Sequence, residues 1–99
     1  MTVIGQPALV VGMDYEAEGT VSVRLRRMDS EPFPPVDPGA HIELFLPNGL
    51  SRSYSLSNMP EESGTYRITV ACDANSRGGS MYIHNVLRVG DSLEVSEQR

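Results

Sequence analysis

Two short stretches of this 99-residue chain hold side chains that could grip a ligand. The first is Arg52-Ser53-Tyr54-Ser55-Leu56-Ser57. On an extended strand, Arg52 and Tyr54 share one face, with Leu56 beyond. An arginine can clamp a phosphate, a tyrosine offers a flat surface for stacking an aromatic ring, and a serine beside that ring can hydrogen-bond its edge. The second is Arg77-Gly78-Gly79-Ser80, which leads into a segment with helical apolar spacing. Two glycines let a ligand approach the backbone closely, N–H groups at a helix start attract anions, Ser80 adds a hydroxyl and Arg77 adds charge. Taken singly, each stretch reads better as ordinary structure, the first as a polar strand with one buried leucine and the second as a glycine loop with a serine cap. Taken together they suit a ligand with a flat ring at one end and a phosphate at the other, and flavin mononucleotide (FMN) is such a ligand.

The remaining reactive side chains are scattered. Cys72 is the only cysteine, so neither an internal disulfide nor a cysteine metal cluster can form. His41 and His84 have no partner at metal-ligand spacing; His41 opens a strand in a structural role, and His84 reads as a helix-surface or packing residue. Cys72 reads as a small buried hydrophobe rather than a redox thiol. Asp14, Glu16 and Glu18 read as a solvated hairpin.

Charge excludes two classes of partner. The net charge is −5 and all eight cationic side chains are arginine. The one basic cluster, Arg24-Leu25-Arg26-Arg27, lies in a strand-like stretch whose neighbours face opposite ways, so no continuous patch forms. Nucleic acid and anionic membrane surfaces are both disfavoured. The N-terminus carries neither a basic nor an apolar targeting segment, and no apolar run approaches a membrane span, so a cytoplasmic protein is expected.

Period-two alternation supplies the elements that must position the two stretches. Val21, Val23 and Leu25; Ile42, Leu44 and Leu46; Tyr66, Ile68, Val70 and Cys72; and Leu93 and Val95 each alternate with more polar neighbours. Ala8 to Met13 and Ser51 to Ser57 complete six strands. Pro47-Asn48-Gly49 marks a hairpin, and the four prolines between Glu31 and Pro38 mark a loop. Ile83, Val86 and Leu87 follow helical spacing, with Ser80 as the expected N-cap and Gly90 as the stop. Six strands in so short a chain predict a single small antiparallel barrel or sandwich with one short helix.

The pairing of Arg52-Ser53-Tyr54-Ser55-Leu56 with Arg77-Gly78-Gly79-Ser80 resembles the flavin domain of ferredoxin-reductase-type proteins. More narrowly it is similar to the phthalate dioxygenase reductase and vanillate demethylase reductase group, as are Pro38-Gly39-Ala40-His41-Ile42, Leu46-Pro47-Asn48-Gly49 and Val89-Gly90-Asp91. The resemblance implies an all-β, six-stranded antiparallel Greek-key barrel spanning residues 1–99. It implies that Arg52 pairs with the FMN phosphate, Tyr54 packs against the isoalloxazine, Ser55 reaches its N5/O4 edge, and Ser53 belongs to the same motif. Gly79 and Ser80 would hold the phosphate, and Val70 and Ala71 would lie along the ring or ribityl chain by backbone contacts. Members of the group often carry bulkier or basic residues where Ala71 and Cys72 stand. The Arg-Gly-Gly-Ser variant favours FMN over FAD. The resemblance also implies a longer reductase, whose nicotinamide-binding and [2Fe–2S] domains lie outside these residues. In it NAD(P)H would reduce the flavin, and electrons would pass through the iron–sulfur centre to a terminal oxygenase. Two other readings stand beside this one: an FAD-binding domain of a ferredoxin- or flavohaemoglobin-type reductase, and a non-redox barrel that serves as a binding module.

Overall fold

The computed structural model describes residues 5–59, 61–72 and 78–99. Six strands and one helix follow in the order β1 (Gln6–Ala17), β2 (Thr20–Arg27), β3 (His41–Phe45), β4 (Ser51–Ser55), β5 (Tyr66–Ala71), α1 (Gly79–Asn85) and β6 (Ser92–Val95). All pairings are antiparallel, and the sheet order is β4-β3-β6-β1-β2-β5. Two hairpins are local: β1 with β2 across Glu18–Gly19, and β3 with β4 across the Pro47-Asn48-Gly49 turn, where the Leu46 N–H donates to the Leu50 carbonyl at 2.8 Å. β6 stands between them and pairs with both β1 and β3.

The sheet curls until its two edge strands meet. Just past β4, Leu56 bridges to Ile68 of β5, and the Ser57 N–H donates to the Arg67 carbonyl at 2.8 Å. Alternation then puts one apolar face inside. Val10, Val23, Leu25, Ile42, Leu44, Tyr66, Ile68, Val70 and Val95 have no accessible surface, and Ile83 and Leu87 join them from α1 and its exit. Burying a side chain of this size stabilises the fold by about 1.5–3 kcal/mol. The proline-rich loop adds Phe33, whose ring stacks on Tyr66 with centroids 3.9 Å apart. The all-β expectation is met, with strands where the alternation placed them.

Three local expectations are corrected. The cap of α1 is Gly78, not Ser80: Gly78 has φ +93°, a left-handed conformation that glycine adopts without strain, and Ser80 sits inside the first turn, buried. Gly90 does not end the helix, which stops at Asn85; it forms the turn before β6 and donates its N–H to the Val10 carbonyl at 2.8 Å. Cys72 is exposed rather than buried, because it lies one residue past β5, with Sγ 3.3 Å from Met81 Sδ. Among the described residues no helix is long and apolar enough to cross a membrane, and no cluster of metal-ligating side chains assembles.

Candidate functional site

The seam between β4 and β5 collects the side chains singled out above. Continued in the register of the Leu56–Ile68 bridge, the ladder would set Tyr54 opposite Val70 and Arg52 opposite Cys72. Among the described residues the ladder stops at that bridge. Where it stops, the start of α1 comes up against β4. A Cβ built on Gly79 would lie 2.7 Å from both Cγ and Nε of Arg52, a separation that real Cβ atoms do not tolerate. The Arg52 stem therefore occupies the space that the missing side chain of Gly79 leaves. Its guanidinium donates from Nη1 to the Ser51 carbonyl at 2.7 Å. Two stretches separated by more than twenty residues in the chain thus form one surface, and the glycine at position 79 leaves the room for it.

Tyr54 is half-buried and packs against the core from the same strand face as Arg52. Burial pushes its phenol above the usual range, and the nearby Arg52 charge partly offsets that. Ser53 and Ser55 point to the other, exposed side of β4, opposite Glu43 and His41 of β3. A ring lying on Tyr54 could therefore meet the Ser55 hydroxyl only at its rim. Across the seam Val70 is fully buried and Ala71 exposed. The Val70 carbonyl is engaged by His84, whose Nε2 lies 2.9 Å away. Arg77 lies outside the described residues.

Two participants escaped the sequence reading. Leu50 sends Cδ1 to 3.5 Å from where a Cβ of Gly78 would stand, so it walls the start of α1. His84 does more than cover a helix face, since it ties α1 to β5. Neither residue has a spacing signal, because each contact depends on how the barrel closes. A groove of about 750 Å³ lies elsewhere: it is lined by the proline loop, including Pro34 and Pro35, and by Met59, and reaches the seam at Leu56.

The chemistry available at the seam is anion binding by a positioned guanidinium beside an aromatic ring, with exposed hydroxyls on the adjoining strand side. Gly79 bears on fit through Arg52, because the missing side chain seats the arginine stem beside the Tyr54 face. A flavin phosphate at Arg52 and a flavin ring along Tyr54 are compatible with these residues.

No family model matches the chain. It is 42% identical over 94 residues to the toluene-4-sulfonate monooxygenase system reductase subunit of Comamonas testosteroni, covering 93% of this chain and 30% of that protein. It is likewise 42% identical over 91 residues to the vanillate O-demethylase oxidoreductase of a Pseudomonas species, covering 92% of this chain and 29% of the other. Among solved structures, phthalate dioxygenase reductase superposes with a TM-score of 0.88 at 34% identity, over 96% of this chain and 30% of that one. The chain has the ferredoxin-reductase-type fold. A second solved structure, the flavohaem-like FAD/NAD-binding domain of nitric oxide dioxygenase from Vibrio cholerae, superposes with a TM-score of 0.85 at 25% identity, covering 98% of this chain and 44% of its own. This chain spans about three tenths of the length of the oxygenase reductases it matches.

Proposed function

We propose that this chain is the flavin-binding domain of an oxygenase reductase, with FMN as its cofactor. The observation that carries the reading is the seating of Arg52 on Gly79, which joins an anion-binding side chain to the Tyr54 face. In this reading Arg52 pairs with the phosphate, assisted by Gly79 and Ser80. Tyr54 supports the ring, Ser55 hydrogen-bonds its rim, Ser53 completes the motif, and Val70 and Ala71 border the ring from across the seam. A bound flavin supplies the exchange between two-electron and one-electron redox chemistry. The residues of the chain bind it, orient it and set the polarity around it; none needs to act as a general acid or base. In the longer reductase, NAD(P)H would be the electron source, a [2Fe–2S] centre the next carrier and a terminal oxygenase the final partner, in keeping with the names of the monooxygenase and demethylase relatives.

FAD is the second reading, favoured by the likeness to the FAD/NAD-binding domain of the Vibrio cholerae protein. The test is a titration of the purified chain with FMN and with FAD, followed by visible absorbance and flavin fluorescence. Quenched fluorescence and tighter binding of FMN are expected. Tighter binding of FAD would reverse the cofactor assignment. The absence of any bound-flavin spectrum would leave a barrel that binds something other than flavin.

A further inference from the structure

The seam has a fastener that neither of the two stretches supplies. His84 of α1 places Nε2 2.9 Å from the carbonyl oxygen of Val70, the last buried residue of β5. A carbonyl can only accept, so the ring nitrogen donates. Ile83 and Leu87, both without accessible surface, hold α1 down onto the core. Their contacts are non-directional, so they set the depth of the helix better than its rotation or slide. The bond from His84 is directional and fixes both. The backbone beneath the imidazole is held in turn, because Arg88 donates from Nη1 to the carbonyls of His84 and Leu87 at 3.1 and 2.7 Å. At the other end of the same seven-residue helix, Gly79 backs Arg52. His84 therefore sets the distance between the seat of Arg52 and the Val70–Ala71 end of β5.

We propose that His84 is a positioning residue for flavin, holding the Arg52 phosphate clamp in register with the strand end that borders the ring. The inference rests on the flavin reading above and adds a residue which that reading does not contain. A ligand that spans both ends of the seam depends on this register; one that occupies only the ring end does not.

The experiment uses the full chain and two probes, FMN and riboflavin, the latter lacking the phosphate. The dissociation constant of each is measured for wild type, His84→Ala, His84→Gln and His84→Asn, with thermal midpoints recorded alongside. The terminal nitrogen of Gln reaches about as far as imidazole Nε2, whereas that of Asn stops one methylene short. FMN affinity should fall about threefold to tenfold in the Ala and Asn variants, the range one hydrogen bond covers. Riboflavin affinity should stay within about twofold, and Gln should restore the wild-type preference for FMN. If Ala does not fold, Gln against Asn carries the test. Parallel loss of FMN and riboflavin, or equal behaviour of Gln and Asn, would overturn the positioning role while leaving the flavin site standing. A wild-type chain that binds riboflavin as tightly as FMN would overturn the phosphate assignment at Arg52 and the His84 inference with it.

Discussion

Arg67 on β5 and Arg52 on β4 flank the same seam in different company. Arg67 is 14% exposed in its side chain and is matched to carboxylates. Its Nε donates to both Glu62 oxygens at 3.0 and 3.1 Å, and its Nη1 donates to Ser22 Oγ at 2.9 Å. That same Nη1 lies 3.8 Å from Asp14 and 3.7 Å from Glu16. Glu62 in turn accepts from the Met59 N–H at 2.7 Å. One guanidinium thus knits three strands and the β4–β5 loop. Arg52 instead rests its stem on the backbone of Gly79 and donates to a main-chain carbonyl. One arginine fastens the barrel; the other lies on a glycine backbone beside an aromatic ring, where the proposed flavin phosphate would meet it.

The sharpest way to break this comparison is to remove each arginine and ask what is lost. Arg52→Ala should weaken FMN binding about 10- to 150-fold, the equivalent of one charge-assisted phosphate contact of about 1.5–3 kcal/mol. Riboflavin binding should hardly move. Fluorescence titration checks this, and equal FMN constants for variant and wild type would refute the clamp.

Arg67→Met should do the reverse. Denaturant titration should show a loss of about 1.5–3 kcal/mol of stability with flavin affinity retained. The pH dependence sharpens the contrast. The Arg67 hydrogen bond, more than any other influence, holds the Glu62 carboxyl below its ordinary value of 4.5. Its stabilisation is complete above that value and is lost as the pH falls through the depressed one, because the unfolded chain takes up the proton first. The variant should therefore lose less stability than wild type on acidification below about pH 4.5. Identical acid limbs would show that Glu62 does not depend on Arg67.

Gly79→Ala should give a smaller effect of the Arg52 kind. The new methyl must displace the arginine stem, at about 1 kcal/mol, so FMN binding should weaken about fivefold while riboflavin binding changes less. Smallest of all, Ser55→Ala should leave FMN affinity nearly intact and lower the flavin reduction potential, measured by spectroelectrochemistry, because a dipole at the ring rim is lost. An unchanged potential with strongly weakened binding would make Ser55 structural.

The sequence showed the strands because each carries its own alternation: Tyr66, Ile68 and Val70 need no partner to announce an inward face. It showed both halves of the candidate site, Arg52 to Ser55 and Gly78 to Ser80, as local chemistry. It could not show that Arg52 lies on Gly79, since that contact exists only once β4 and β5 converge. The Arg67 cluster was hidden for the same reason. Asp14 and Glu16 read as solvated until β1, β2 and β5 align side by side and bring the part-buried Arg67 to them. Ser80 was misread because a serine before an apolar run resembles a cap, whereas the left-handed turn fell to the glycine two residues earlier.

The place of β6 has a consequence for the order in which the molecule can be made. It is the last of the six described strands in sequence, yet it stands between β1 and β3. Until it arrives β1-β2-β5 and β3-β4 meet only at the Leu56–Ile68 bridge, and β1 and β3 each present an unpaired edge. The register that joins them couples Gln6 with Val95, almost the full length of the chain. Contacts so distant in sequence form slowly, because the loop entropy is spent before the ladder gains anything. The edges of β1 and β3 therefore stay open until Ser92 to Val95 has been made, and that four-residue strand is the key that hides both.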